Sequence, residues 1–213
     1  MAELGKIEKP PVESFAGKRK LYCVSNIYPL RDPPDDYKEL FDRYWNEVEQ
    51  QIEKLEVAGK IKKIFCEIIH DEGEEALDEL GRINDRALQI VKKKIEEGGT
   101  LFPLEKIEIF GAYMDWANCL QIVITEEVFK KVFDFYTEIS NKRFEHILNV
   151  IVNNLSEPEA GLLIMKAEDR AKLQFPKDIE VFLVTPPSYD EILRWVREKL
   201  REIYKTGLAE KGL

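Results

Sequence analysis

The run Phe65-Cys66-Glu67-Ile68-Ile69-His70-Asp71-Glu72 puts one of only two histidines in 213 residues at the end of an apolar stretch, directly ahead of acids. Imidazole titrates near neutrality, and an adjacent carboxylate can orient it or share a ligand with it. His70 and Asp71 are therefore the first candidates for proton transfer or ligand binding. The plainer reading is a strand surfacing ahead of a helix, with acids at the helix start. A second group, Lys166, Glu168 and Arg170, follows the apolar run GLLIM, and a third, Thr185 and Ser188, follows IEVFLV. Cations and hydroxyls beside a helix amino terminus suit a small anionic or nucleotide-like ligand. Asp115 and Asn118 interrupt an apolar helix and form a second tier, for which bonding across helices or exposure to solvent is the simpler explanation. Arg143 joins them because it could reach a phosphate, although an exposed ion pair is the simpler explanation.

Several chemistries are excluded by spacing. Cys66 and His70 are four residues apart, about 13 Å on an extended strand, too far for a thiol–base pair. Adjacent strand residues point to opposite faces, which would separate His70 from Asp71. Two histidines cannot build a histidine-rich metal site. His70 with Asp71, Glu72 or Glu168 could make a carboxylate-rich one, yet no recognised ligand spacing supports it, so no metal ligand or cofactor is assigned. Phosphate loops of the GxGxxG or GxxxxGK[ST] type, a GxSxG elbow and HExxH do not occur. Cys23, Cys66 and Cys119 are distant, odd in number and set in apolar runs, which reads as core rather than disulfide or zinc chemistry.

Composition narrows the partners. The net charge is −9 and the pI about 5.0, against general nucleic-acid binding, which needs a basic face. The clusters Lys18-Arg19-Lys20, Lys60-Ile61-Lys62-Lys63 and Lys92-Lys93-Lys94 alternate with acids and read as solvated surface. No apolar run is long enough to span a bilayer, and the first 20 residues do not resemble a signal peptide; a soluble, cytoplasmic protein is expected. Charged residues reach 34 %, with many Glu/Lys pairs at helical spacing, a composition found in thermophilic proteins.

The elements that must position these side chains alternate between strand and helix. Residues 1–17 read as a flexible arm, 18–205 as one α/β domain and 206–213 as a tail. Strands are expected at 20–25, 61–69, 100–104, 161–165 and 179–184. The second is apolar on both faces, as in parallel sheets covered by helices. Asp35 is placed to cap a helix to residue 55, ended by Gly59. Short helices are expected at 74–80, stopped by Gly81, and at 85–97, capped by Asn84. Residues 105–155 form a helical segment with Thr125 as an internal cap, although LQIVIT could hide a strand. The crossover 166–178 has room for one helical turn. Ser188 and Glu191 suggest a capping box for a helix to about residue 204. The fold class is α/β, a mainly parallel sheet of about five strands with helices on both faces.

Residues 17–24 (GKRKLYCV), 114–120 (MDWANCL) and 161–187 (GLLIMKAEDRAKLQFPKDIEVFLVTPP) together resemble an uncharacterised family of archaeal and bacterial proteins, over about residues 15–200. That family has no established activity, so the resemblance only draws attention to Asp115, Arg170 and the segment FPKDIEVF. Ligands of open parallel sheets bind beyond the strand carboxyl ends. The expected function is a small-anion- or nucleotide-binding sensor or regulatory module at that edge. One alternative is a hydrolase or transferase using His70, Asp71 and Glu168 around a metal or water. Another is a homo-oligomer built on Tyr44, Trp45, Phe129, Phe133 and Tyr136, for which ordinary core packing is the simpler reading.

Overall fold

The computed structural model describes residues 17–210, with side chains to Ile203; residues 1–16 of the expected amino-terminal arm and the last three residues lie outside that range. Five strands, β1 (Arg19–Ser25), β2 (Ile61–Cys66), β3 (Thr100–Pro103), β4 (Ala160–Met165) and β5 (Ile179–Val184), form one sheet in the order β3-β2-β4-β1-β5. Every pairing is parallel. The helices are α1 (Asp35–Leu55), α2 (Gly73–Ile83), α3 (Asp85–Glu96), α4 (Ile107–Ile122), α5 (Glu126–Asn154), α6 (Ala167–Arg170) and α7 (Pro187–Glu210).

Strand alternation builds two cores. Tyr22, Val24, Ile64, Leu162 and Ile164 face α1, α2, α3 and α7, where Tyr44, Val48, Ile52, Ala76, Ile90 and Ile192 cover them. Leu21, Cys23, Phe65, Leu163 and Met165 face the other way, onto Ile147 and Ile151 of α5 and Leu173 beyond α6. The core strands β1, β2 and β4 are thus covered on both faces, which is why β4 is apolar throughout and β1 and β2 carry apolar residues on both faces. The chain steps from β1 to β2 to β3 across the first face, then returns to β4 and on to β5 across the second. All crossovers therefore share one hand, as right-handed βαβ units require.

Several local expectations are corrected. The second strand stops at Cys66 rather than at residue 69, because Ile68 takes φ = 76° and turns the chain. Asp35 is the first residue of α1, with Pro34 at the cap position. Helix α2 runs through Gly81 to Ile83, since burial of Ala76 and Leu80 outweighs the roughly 1 kcal/mol helix penalty of a glycine. Asn84 caps α3 as expected, its Oδ1 accepting from the Ala87 N–H. LQIVIT forms no strand; it closes α4 and leads into α5, with Thr125 at the cap position. Ser188 and Glu191 make no capping box: Ser188 binds Glu47, Glu191 pairs with Arg43, and α7 runs on to Glu210, through residues expected as tail. The basic clusters are not all solvated. Lys94 is buried between Glu56 and Glu97, and Lys20 is buried too.

Candidate functional site

Strand order decides where chemistry can gather. The chain leaves β1 and β2 across one face and β4, which lies between them, across the other. Connections that diverge from adjacent strands open a crevice at the carboxyl ends, and such switch points are where open α/β sheets bind ligands. At this switch point lie Ser25 at the end of β1, Asn26 just beyond it, Glu67 after β2 and Lys166 after β4.

Glu67 lies at the middle of this group. Its side chain is buried, with Oε1 accepting from Asn26 Nδ2 at 2.9 Å and the Tyr28 hydroxyl at 2.6 Å, and Oε2 accepting from the Lys166 backbone N–H at 3.0 Å. Asn26 is held in turn by Asn84, whose Nδ2 donates to Asn26 Oδ1 and to the Ile27 carbonyl, both at 2.9 Å. One carboxylate therefore ties together the exits of three strands and the start of α3. Burial pushes its carboxyl up, against the opposing pull of its three hydrogen bonds. The next residue, Ile68, is β-branched and yet has φ = 76°, a conformation costing about 1–2 kcal/mol. Such backbone strain concentrates at functional sites.

Two cations follow β4. Lys166 Nζ lies 5.0 Å from the Tyr28 ring centroid, so the ring that anchors Glu67 also props the lysine. Arg170 is half-buried at the end of α6, and its charge acts on both the Cys23 thiol and the Tyr189 hydroxyl; Glu168 also acts on Tyr189. Burial raises the Tyr189 hydroxyl, which is hydrogen-bonded with Ser25. Among the described residues, neither Lys166 nor Arg170 forms an ion pair. Two cations free of ion pairs offer an anionic group charge-assisted hydrogen bonds on the solvent side of the Glu67 carboxylate.

The other predicted residues lie elsewhere on the same edge. His70 and Asp71 sit toward β3, past the end of the strand, so they are not on opposite faces. His70 Nε2 lies 3.5 Å from Asp71 Oδ2, and Nδ1 lies 3.4 Å from Glu79 Oε1 on α2 and 3.3 Å from the Ile68 carbonyl. One nitrogen of His70 and one oxygen each of Asp71 and Glu79 fall within 4.8 Å of one another. The second Glu79 oxygen is buried with no hydrogen-bond partner. A cavity of about 540 Å³ opens beside His70, lined also by Glu72, Glu105, Lys106, Glu108 and the chain's second histidine, His146. On the β5 side Thr185 is exposed, while Ser188 is fully buried and donates to Glu47 at 2.6 Å. The three predicted groups thus occupy three separate positions along the rim.

Arg143 is not an exposed ion pair. It is buried, its Nε 3.0 Å from each Glu105 oxygen, its Nη2 also on Glu105, and its Nη1 3.1 Å from Asp169. The guanidinium stacks over Phe110, Tyr113 and Phe144. The pair ties α5 to the exit of β3 and to α6. Asp115 and Asn118 point to solvent on α4. Burial pushes the Cys23 thiol up to about 12 and raises Cys66 as well, so neither is a nucleophile.

Sequence reasoning passed over Glu67, Asn26, Tyr28, Asn84 and Glu79 as site residues. Glu67 carried a visible signal, a lone acid with two apolar residues on each side, which only burial with dedicated donors explains. Glu79 carried none, because only the packing of α2 brings it to His70. No protein-family model, curated protein or solved structure matches this chain, so the resemblance noted above transfers no role to any residue.

Proposed function

We propose that the protein is a sensor or regulatory module that binds a small anionic ligand, a nucleotide or other phosphorylated metabolite, in the crevice above Glu67. The observation that carries this reading is the pair of unpaired cations, Lys166 and Arg170, at the switch point of a chain with net charge −9. Lys166 supplies a point charge propped on Tyr28, and Arg170 a planar fork able to bind phosphate bidentately. The Glu67 network sets the backbone N–H and side chain of Lys166 before any ligand arrives, which lowers the ordering cost of binding.

The test is a thermal-shift screen with mono- and triphosphate nucleotides and phosphosugars on wild type and on Lys166→Ala/Arg170→Ala. A ligand at 100 times its Kd stabilises by about 2.7 kcal/mol. For a chain of this size that is a shift of roughly 5–10 °C. The double variant should lose it. A full shift in the double variant, or no shift with any phosphorylated compound, overturns the reading.

A second reading has its own support. His70, Asp71 and Glu79 offer one nitrogen and two carboxylates, with an orphaned buried oxygen on Glu79, beside the cavity lined by His146. One imidazole and two carboxylates suit Mn²⁺ or Zn²⁺ with a position left open for water, the arrangement of a metal-assisted hydrolase or transferase. In this reading Glu79, rather than Glu168, completes the set. Calorimetric titration with Mn²⁺ and Zn²⁺ should give one site in wild type and none in Glu79→Gln; equal binding by both removes it.

A further inference from the structure

Helix α4 is an anomaly: its sequence, IEIFGAYMDWANCLQI, is strongly apolar, yet none of its 16 residues is buried. It packs against α5 alone among the larger element contacts. Helix α5 has 29 residues, about 43 Å at 1.5 Å per residue, and five of its six buried positions lie from Ser140 onward, on the sheet side. Its first half and α4 therefore form a hairpin arm beyond the domain. Ile107, Met114, Ile122, Ile124, Val128, Phe129, Phe133 and Phe135, all on this arm and its turn, are 42 to 97 % exposed. The aromatic side chains are already ordered against one another: Trp116 stacks on Phe135 at 4.8 Å, Phe129 on Phe133 at 5.9 Å, and Tyr113 lies 5.4 Å from Tyr136. Tyr44 and Trp45, by contrast, are core residues.

We infer that this arm is a homodimer interface, in which two hairpins pair about a two-fold axis into a four-helix bundle. Area supports a second copy. At roughly 100 Å² for each half-exposed large side chain, the eight residues present about 800 Å², the contribution of one partner to a standard interface. Charge supports it too. Glu126–Lys130, Glu127–Lys131 and Glu138–Lys142 cancel within α5, leaving Glu108, Asp115 and Asp134 as the arm's other charges. An arm without a basic face is unsuited to nucleic acid or an anionic bilayer. Internally paired charges around an apolar seam lower the repulsion between identical surfaces and can exchange partners across the axis. A helical hairpin is also half of a four-helix bundle, so closure needs no change of backbone.

Multi-angle light scattering on the full chain distinguishes the outcomes. Wild type, 24.9 kDa per chain, should run at twice that mass at micromolar concentration, and Phe129→Glu/Phe133→Glu should run as a monomer with unchanged far-UV dichroism. Ile122→Lys/Ile124→Lys, at the exposed turn, supplies a variant with no role in folding; it should weaken dimerisation at least tenfold. Monomeric wild type at 100 μM, a dimer undisturbed by both variants, or flotation of monomer with phosphatidylcholine vesicles overturns the inference.

Discussion

Replacing Arg143 with Met keeps an unbranched side chain of similar reach and removes the charge that joins the helical arm to the sheet. Glu105, whose side chain has no exposure, would lose both its bonds to Nε and its contact with Nη2. Asp169 would keep Lys172 at 2.8 Å, so the cost falls mainly on Glu105. Breaking a buried ion pair from one side costs about 3–5 kcal/mol, because a charge is left in low dielectric without compensation. Met retains part of the packing on Phe110, Tyr113 and Phe144, and its sulfur suits aromatic neighbours. Urea unfolding followed by far-UV dichroism should show this loss at unchanged m-value. Adding Glu105→Gln to Arg143→Met removes the orphaned charge and should restore more than half the loss. A single-variant cost below about 1 kcal/mol, or a double variant no better than the single, refutes the reasoning. The pair also has an acid signature. Burial alone would raise the Asp169 carboxyl, but hydrogen bonds and charge from Lys172 and Arg143 outweigh it and hold it below the ordinary aspartate range. A depressed folded value means the stabilisation is complete above the unfolded aspartate pKa, about 3.9, and is lost as pH falls through the folded value. Arg143→Met should flatten that part of the profile.

Two further substitutions test the geometry beneath the crevice. Ile68→Asn relieves a β-branched residue at positive φ and should stabilise by about 1 kcal/mol in the same unfolding assay, since asparagine tolerates this region; destabilisation of that size would show that the half-buried side chain matters more than the backbone. Gly161→Ala, on β4, would bring a methyl within 3.0 Å of Leu155 and Leu21 side-chain carbons and 3.3 Å of Phe65. Overpacking at the centre of the sheet should cost about 1–3 kcal/mol, and a neutral result would mean that these neighbours yield freely.

What the sequence by itself determined was local. Short apolar runs marked four of the five strands closely, and Asn84 marked the start of α3, because strand pattern and capping chemistry are written within a few residues. Strand length failed at Ile68, where tertiary contacts hold a conformation that isoleucine disfavours. The candidate site was legible only as a rim. That β4 inserts between β2 and β1 depends on which apolar faces pack across the sheet, a choice among contacts about 100 residues apart. It is this order that sets Lys166 over Glu67 and Asn26 and leaves His70 nearer β3. Arg143 shows the same limit. Its identity offered a phosphate or a surface partner, and only the docking of α5 onto β3 and α6 buried it between Glu105 and Asp169. The exposed arm was half visible: an apolar helix within the helical segment 105–155 was plain, but apolar character does not say whether its own domain covers it. Here the sheet has room for only the second half of α5, and the rest remains uncovered.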